Sequence, residues 1–118
     1  MKIRLLISAI ILSITSVFAF PAGDDYNARE VRRYTREAEY YQRQADSYRR
    51  DAAYYLKQAE SYQRDAAYYT KRGDTNRARD YSRRAGHAMD NYNDRLKRAA
   101  KADEKAADYL KRAADRLK

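Results

Sequence analysis

Two consecutive copies of one 14-residue unit determine the fold of this chain: QADSYRRDAAYYLK at residues 44–57 and QAESYQRDAAYYTK at residues 58–71. Of the 14 aligned positions, 11 are identical. Residues 30–43 follow the same frame with fewer identities, so the unit occurs three times. Because 14 residues make two heptads, the repeat predicts a long, coiled-coil-like helix with one apolar seam.

The seam of this first helix is made of two residue types. Apolar positions recur at alternating steps of three and four residues, and after Val31 every heptad position a is Ala while every position d is Tyr. Position f, opposite the seam, holds only Arg and Lys. Acidic residues also precede basic ones by four positions, the favourable order for helical ion pairs, in Glu39 with Arg43, Asp46 with Arg50, and Glu60 with Arg64.

The repeat ends at a turn signal. Gly73 can take the left-handed conformation that closes a helix, and Asp74 or Thr75 can cap the next one. The sequence therefore predicts helix 1 at about 25–71, a turn at 72–75 and helix 2 at about 75–117. The predicted stripe of helix 2 runs through Ala78, Tyr81, Ala85, Met89, Tyr92, Leu96, Ala99, Ala106, Leu110, Ala113 and Leu117.

The predicted fold class is all-α, a long antiparallel helical hairpin with an Ala/Tyr heptad seam. Folding at the turn places large residues opposite small ones, with Tyr62 beside Ala85, Tyr48 beside Ala99, Tyr41 beside Ala106 and Ala38 beside Tyr109. Such alternation favours close interdigitation of the two helices.

The apolar surface is wider than two helices need. Helix 2 carries further apolar residues at Ala88, Ala100, Ala102, Ala107, Tyr109 and Ala114, and helix 1 carries a second tyrosine row at Tyr26, Tyr40, Tyr54 and Tyr68. We therefore expect a homodimer in which two hairpins form a four-helix bundle. The alternative is that the second-row tyrosines lie flat against their own helix.

The first residues have the features of a secretory signal peptide. Lys2 and Arg4 precede an apolar run from Leu5 to Phe18, and small residues allow cleavage after Ala19. The run is short for a membrane-spanning helix, although an uncleaved anchor is the alternative. Residues 1–19 are thus predicted to be the signal peptide of an extracytoplasmic protein, periplasmic or secreted, with no membrane span after cleavage. Residues 20–118 form the predicted hairpin domain.

The residue types that catalysis and metal binding require are scarce. The sequence has no cysteine, three glycines and one histidine, His87, which lies on the polar face of helix 2. A nucleophile therefore has no base to activate it, and one imidazole is too few for a zinc or copper site. We expect no enzyme activity, no catalytic or metal site, no cofactor and no small-molecule substrate.

Positive charge provides the best candidate for a binding site. The formal net charge is +9, and it falls to +7 when Lys2 and Arg4 are removed with the signal peptide. Cations concentrate around the turn, where only Asp74 and Asp80 oppose them. The predicted anion-binding residues of this basic tip are Lys71, Arg72, Arg77, Arg79, Arg83 and Arg84.

Three functions are compatible with these features. The first is an exported, non-enzymatic structural or interaction protein. The second is an anion-binding protein that uses the basic tip to contact nucleic acid, acidic polysaccharide, lipopolysaccharide or anionic lipid head groups. The third is a small extracytoplasmic chaperone of the holdase type, which would bind unfolded clients with basic rims and exposed tyrosines.

Overall fold

The computed structural model describes residues 25–118, so the predicted signal peptide and its cleavage site lie outside the described residues. Two helices account for nearly all of this range: α1 spans Asp25–Lys71 and α2 spans Thr75–Asp115. No strand occurs between residues 25 and 118. The predicted all-α helical hairpin is therefore confirmed. Neither helix has a stretch long and apolar enough to cross a membrane.

The turn between the helices is stabilised by backbone hydrogen bonds. Gly73 has a φ of 77°, the left-handed conformation that glycine adopts without strain. The Gly73 amide donates to the Thr70 carbonyl at 3.1 Å, and the Asp74 amide donates to the Tyr69 carbonyl at 3.0 Å. Together these bonds form a Schellman motif, which satisfies the last carbonyls of α1.

Asp74 then begins the second helix. One of its carboxylate oxygens accepts a hydrogen bond from the Arg77 amide at 3.1 Å, the arrangement of a helix N-cap. At its other end α2 stops at Asp115, two residues before the expected position.

Along α1, the alanine positions of the seam are buried. Val31 and the alanines that follow it at position a are between 0% and 9% exposed: Ala38, Ala45, Ala52, Ala59 and Ala66. The seam tyrosines at position d are half-buried. Small residues therefore form the centre of the helix pair, and the tyrosine rings cover its side.

The helix pair divides into two compact units. The described part of the terminal unit comprises residues 25–44 and 101–118, and the turn unit comprises residues 45–100. Each unit contains a segment of α1 packed against a segment of α2.

In the terminal unit, Ala38, Ala106 and Leu110 form the buried core, with Tyr41 and Tyr109 packed against it. The ring of Tyr109 stacks on that of Tyr41, with centroids 5.8 Å apart and planes 9° from parallel. On its other side Tyr109 lies 6.2 Å from the Tyr34 ring. One tyrosine of α2 therefore inserts between two tyrosines of α1.

The turn unit repeats this arrangement. Tyr81 stacks on Tyr69, with centroids 5.5 Å apart and planes 6° from parallel, and it lies 6.2 Å from the Tyr62 ring. The predicted alternation of large against small is thus corrected in part. Tyrosines of the two helices also stack on each other at the side of the seam. In the terminal unit Tyr41 and Tyr109 pack against the core of Ala38, Ala106 and Leu110, in agreement with the predicted pairs of Tyr41 with Ala106 and Ala38 with Tyr109.

The seam of α2 also differs from the predicted stripe. Ala88 and Ala102 are buried, whereas Leu96 and Leu117 are 37% and 51% exposed. The reason is that the seam positions of α2 keep recurring at alternating steps of three and four residues from Ala85 through Ala88 and onward. With this spacing Leu96 falls on the side of α2 that faces away from α1. The adjacent Arg95 takes the seam position instead, and its side chain is 27% exposed.

The ion pairs on α1 are not the ones that the spacing predicts. Asp46 pairs with Arg49 at 2.7 Å, three residues away, and not with Arg50. Within residues 25–118, neither Glu39 with Arg43 nor Glu60 with Arg64 forms an ion pair. Glu60 and Arg64 are exposed, and an ion pair between such side chains would contribute little to stability.

Candidate anion-binding site

The six predicted anion-binding residues all belong to the turn unit, and all are exposed. Lys71 is the last residue of α1, Arg72 is the first residue of the turn, and the other four lie in the first three turns of α2. The Schellman turn and the Asp74 cap hold these two segments side by side. Five of the six cations are therefore carried by regular helix, and Arg72 lies in the hydrogen-bonded turn.

Three of the five arginines lie over tyrosine rings. The distances from the guanidinium carbon to the ring centroid are 4.5 Å for Arg72 over Tyr68, 5.4 Å for Arg77 over Tyr69 and 5.1 Å for Arg84 over Tyr81. These cation–π contacts stabilise and orient the guanidinium groups.

The three rings are themselves connected. Tyr68 meets Tyr69 edge to face at 5.1 Å between centroids, and Tyr69 stacks on Tyr81. We call this group of three tyrosines and three arginines the tip cluster. Its tyrosines are a feature that the sequence analysis did not assign to the site. The available signal was spacing, since Tyr68 precedes Arg72 by four residues and Tyr81 precedes Arg84 by three.

Carboxylates partly neutralise two members of the tip cluster. Arg77 lies 3.5 Å from Asp74, and Arg84 lies 3.1 Å from Asp80. Arg72 has no such acidic partner in the described part of the chain. Within the cluster it is therefore the guanidinium most available to an external anion.

The remaining cations lie away from the tyrosines. Lys71, Arg79 and Arg83 occupy heptad positions that point away from the seam, and within residues 25–118 none of them forms an ion pair. Arg79 and Arg83 are four residues apart and so share one face of α2. The tip thus presents two sets of cations. The arginines of the first set lie over tyrosine rings, and the cations of the second set are solvated and lie away from the rings.

The terminal unit has a similar group of rings and cations. Arg112 lies 5.1 Å from the Tyr109 ring and Lys105 lies 5.2 Å from the Tyr41 ring. A shallow cavity of about 290 Å³ here is lined by Arg33, Tyr34, Glu37, Tyr109 and Arg112.

Acidic residues balance the cations beside this cavity. Arg33 binds Glu30 at 2.8 Å, and Arg112 binds Asp108 at 3.0 Å. Hydrogen bonding with Tyr34, together with the charge of Glu30, raises the pKa of Arg33 above its ordinary value. The cavity is therefore a weaker candidate for anion binding than the tip.

Between these two groups in sequence lies a third pair of seam tyrosines, Tyr48 and Tyr55, which belongs to the turn unit. The α2 residue that faces it is Arg95, whose guanidinium lies 5.6 Å from the Tyr55 ring and 3.9 Å from Asp51. Arg95 also pairs with Asp94. The α2 residue that faces this tyrosine pair is therefore an arginine, whereas the α2 residue that faces each of the other two pairs is a tyrosine.

Asp94 also binds Arg98, at 3.0 Å. This hydrogen bond lowers the pKa of the Asp94 carboxyl, and the bonds that Arg98 makes with Asp94 and Tyr48 raise the pKa of the guanidinium. Because the carboxyl pKa of Asp94 is lower in the folded chain than in the unfolded chain, the ion pair of Asp94 with Arg98 stabilises the folded chain at pH values above the ordinary aspartate pKa. That contribution is lost as the pH falls through the lowered value.

No cluster of three or more His, Cys, Asp or Glu side chains in residues 25–118 is placed to hold a metal ion. His87 is exposed on α2.

No protein-family model, curated protein or solved structure matches this chain.

Proposed function

We propose that this chain is an exported, non-enzymatic interaction protein that binds polyanions through its basic tip. The observation that carries the proposal is the concentration of six exposed cations around one rigid turn. Three of these cations are oriented by tyrosine rings, and two are opposed by acids. The predicted signal peptide supports an extracytoplasmic location, in the periplasm or in the medium.

The physical basis is counterion release. A polyanion such as a nucleic acid holds condensed cations, which are released when Arg and Lys side chains replace them. Binding of this kind depends steeply on salt and carries no sequence specificity, because phosphate contacts do not read base edges. We therefore expect affinity to decrease strongly between about 50 and 200 mM salt.

The test compares two charge-reversal variants of equal charge change. Arg79→Glu with Arg83→Glu alters the solvated face of the tip. Arg32→Glu with Arg36→Glu alters an equally exposed pair, also four residues apart, in the terminal unit. Binding of a labelled duplex oligonucleotide is measured by fluorescence anisotropy at several salt concentrations.

We expect the tip variant to lose roughly tenfold or more in affinity and to show a shallower salt dependence, because phosphate contacts are lost. The terminal-unit variant should lose much less. Equal losses in the two variants would show that net charge alone attracts the polyanion and that the tip is not a site. Absence of binding by the unaltered chain would refute polyanion binding altogether.

We further propose that the chain forms a homodimer through α2 of the terminal unit. Ala107 and Ala114 are exposed there, seven residues apart, and Leu117 is 51% exposed. Small residues at this spacing allow close approach of a second helix. In an antiparallel pair with its two-fold axis near Ala107, Glu104 of each copy lies opposite Lys111 of the other, so the charges are complementary.

Sedimentation at micromolar concentration tests the dimer. Ala107→Glu with Ala114→Glu should convert it to a monomer, because carboxylates would be buried without partners. Ala53→Glu with Ala67→Glu, two exposed alanines of α1, serves as the control and should remain dimeric. A monomeric unaltered chain, or a control that dissociates equally, contradicts the proposed interface.

A further inference from the structure

Two exposed tyrosines of the turn unit make the same ring contact but differ in the residue four positions further along the chain. Tyr54 and Tyr68 occupy the same heptad position in successive repeats and are 58% and 49% exposed. Each meets the next tyrosine of the chain edge to face, with centroids 5.5 Å apart for Tyr54 and Tyr55, and 5.1 Å for Tyr68 and Tyr69. The two rings therefore have nearly the same packing.

The two tyrosines differ in the residue that lies four positions further along the chain. The Tyr54 hydroxyl accepts a hydrogen bond from the neutral side chain of Gln58 at 2.8 Å. Tyr68 instead lies beneath the guanidinium of Arg72, 4.5 Å from the ring centroid. Of these two tyrosines, only Tyr68 combines an exposed aromatic ring with an arginine that has no acidic partner among the described residues. In the terminal unit Arg116 lies over the exposed Tyr26 ring at a longer distance, 5.8 Å from the centroid.

This combination matches the requirements of one class of polyanion. Single-stranded nucleic acids expose unpaired bases, which stack on aromatic rings and on arginine guanidinium planes, while nearby cations bind the phosphates. In a duplex the bases are already stacked, and polyphosphate has no bases. An aromatic platform at a cationic site therefore favours the single strand over both.

We propose that the basic tip binds single-stranded nucleic acid, with a base stacked on the Tyr68–Arg72 pair and the phosphates held by the surrounding arginines. This inference rests on the proposed polyanion binding and adds the class of polyanion. Stacking tolerates every base, so the site discriminates by strandedness and not by sequence.

The experiment measures binding of two probes at one fixed salt concentration: a single-stranded thymidine oligonucleotide, by anisotropy, and inorganic polyphosphate, by competition. Tyr68→Ala is the test variant, and Tyr54→Ala is the matched control. Tyr68→Phe keeps the stacking ring and removes only the hydroxyl. Circular dichroism melting verifies that all three variants fold, as their exposed positions allow.

We expect Tyr68→Ala to weaken binding of the single strand by about fivefold or more, equivalent to about 1 kcal/mol, because one stacking contact is lost. Polyphosphate binding should change by less than about twofold, since it involves charge alone. Tyr68→Phe and Tyr54→Ala should bind both probes like the unaltered chain.

Several outcomes would overturn the inference and leave polyanion binding intact. In one, Tyr68→Ala weakens the binding of both probes equally, which would show that the ring only positions Arg72. In another, Tyr54→Ala causes the same loss as Tyr68→Ala. Tighter binding of a duplex of equal length than of the single strand would also contradict it. If the unaltered chain binds neither probe, the proposed function fails with it.

Discussion

The terminal unit and the turn unit contain the same arrangement of seam tyrosines but differ at the exposed tyrosine beside it. In each, one tyrosine of α2 stacks on one ring of α1 and lies 6.2 Å from another. Tyr109 and Tyr81, the inserted residues, are 28 positions apart, which is two full repeats. The same cation positions recur as well: a residue three positions after each inserted tyrosine lies over its ring, Arg112 in one unit and Arg84 in the other.

The units diverge at the exposed tyrosine beside each stack. In the terminal unit the Tyr40 hydroxyl accepts a hydrogen bond from Gln44 at 2.8 Å. In the turn unit Tyr68 holds Arg72. The repeat therefore fixes an aromatic scaffold in both units, and substitutions at surface positions decide where charge accumulates. The packing of the seam and the distribution of surface charge are therefore set by different positions of the same heptad.

The strongest test of whether the aromatic groups of the two units are equivalent removes each inserted tyrosine ring in turn. Tyr109→Ala and Tyr81→Ala should each lower the free energy of unfolding by about 2–3 kcal/mol, less than for a fully buried aromatic residue because both rings are only half-buried. Urea unfolding followed by circular dichroism measures the change. Losses that differ by more than about 1 kcal/mol would show that the two aromatic groups do not contribute equally.

A second test separates the seam from the surface beside it. Ala52 is 1% exposed, whereas its neighbour Ala53 is exposed. Ala52→Leu should destabilise the chain by about 1–3 kcal/mol through overpacking between the helices. Ala53→Leu adds the same atoms on the outside and should change stability by less than about 0.5 kcal/mol. An unchanged melting temperature for Ala52→Leu would contradict the close packing of the alanines.

The third test concerns the tyrosine pair that lacks an inserted ring. Arg95→Tyr should give Tyr48 and Tyr55 the stacking partner that the other two pairs have, and raise stability by about 0.5–1.5 kcal/mol. The ion pairs that Arg95 loses involve carboxylates that are about half exposed, so we expect them to contribute less than this. Thermal melting of Arg95→Tyr beside Arg95→Ala measures the gain. A loss of stability with tyrosine would show that the arginine contacts outweigh aromatic stacking at this position.

Much of this architecture could be predicted from the sequence. The heptad spacing defined α1, and the Gly-Asp pair defined the turn, because helix periodicity and left-handed glycine are local properties. Ala45, Ala52, Ala59 and Ala66 were assigned to the seam and are buried. The sequence also predicts that six cations lie together around the turn, because the two helices meet there, and all six are exposed. Anion binding by these residues stays a prediction.

The sequence alone determined two amphipathic helices, a tight turn and a basic tip, since all of these follow from the spacing and type of neighbouring residues. Only the tertiary structure decided which face of α2 meets α1, placing Arg95 in the seam and Leu96 outside it. It also decided that tyrosines stack on tyrosines across the helices and that Tyr68 supports Arg72. The physical reason is that adjacent heptad stripes of α2 are both rich in apolar residues, so periodicity leaves a choice of rotation that packing against α1 resolves.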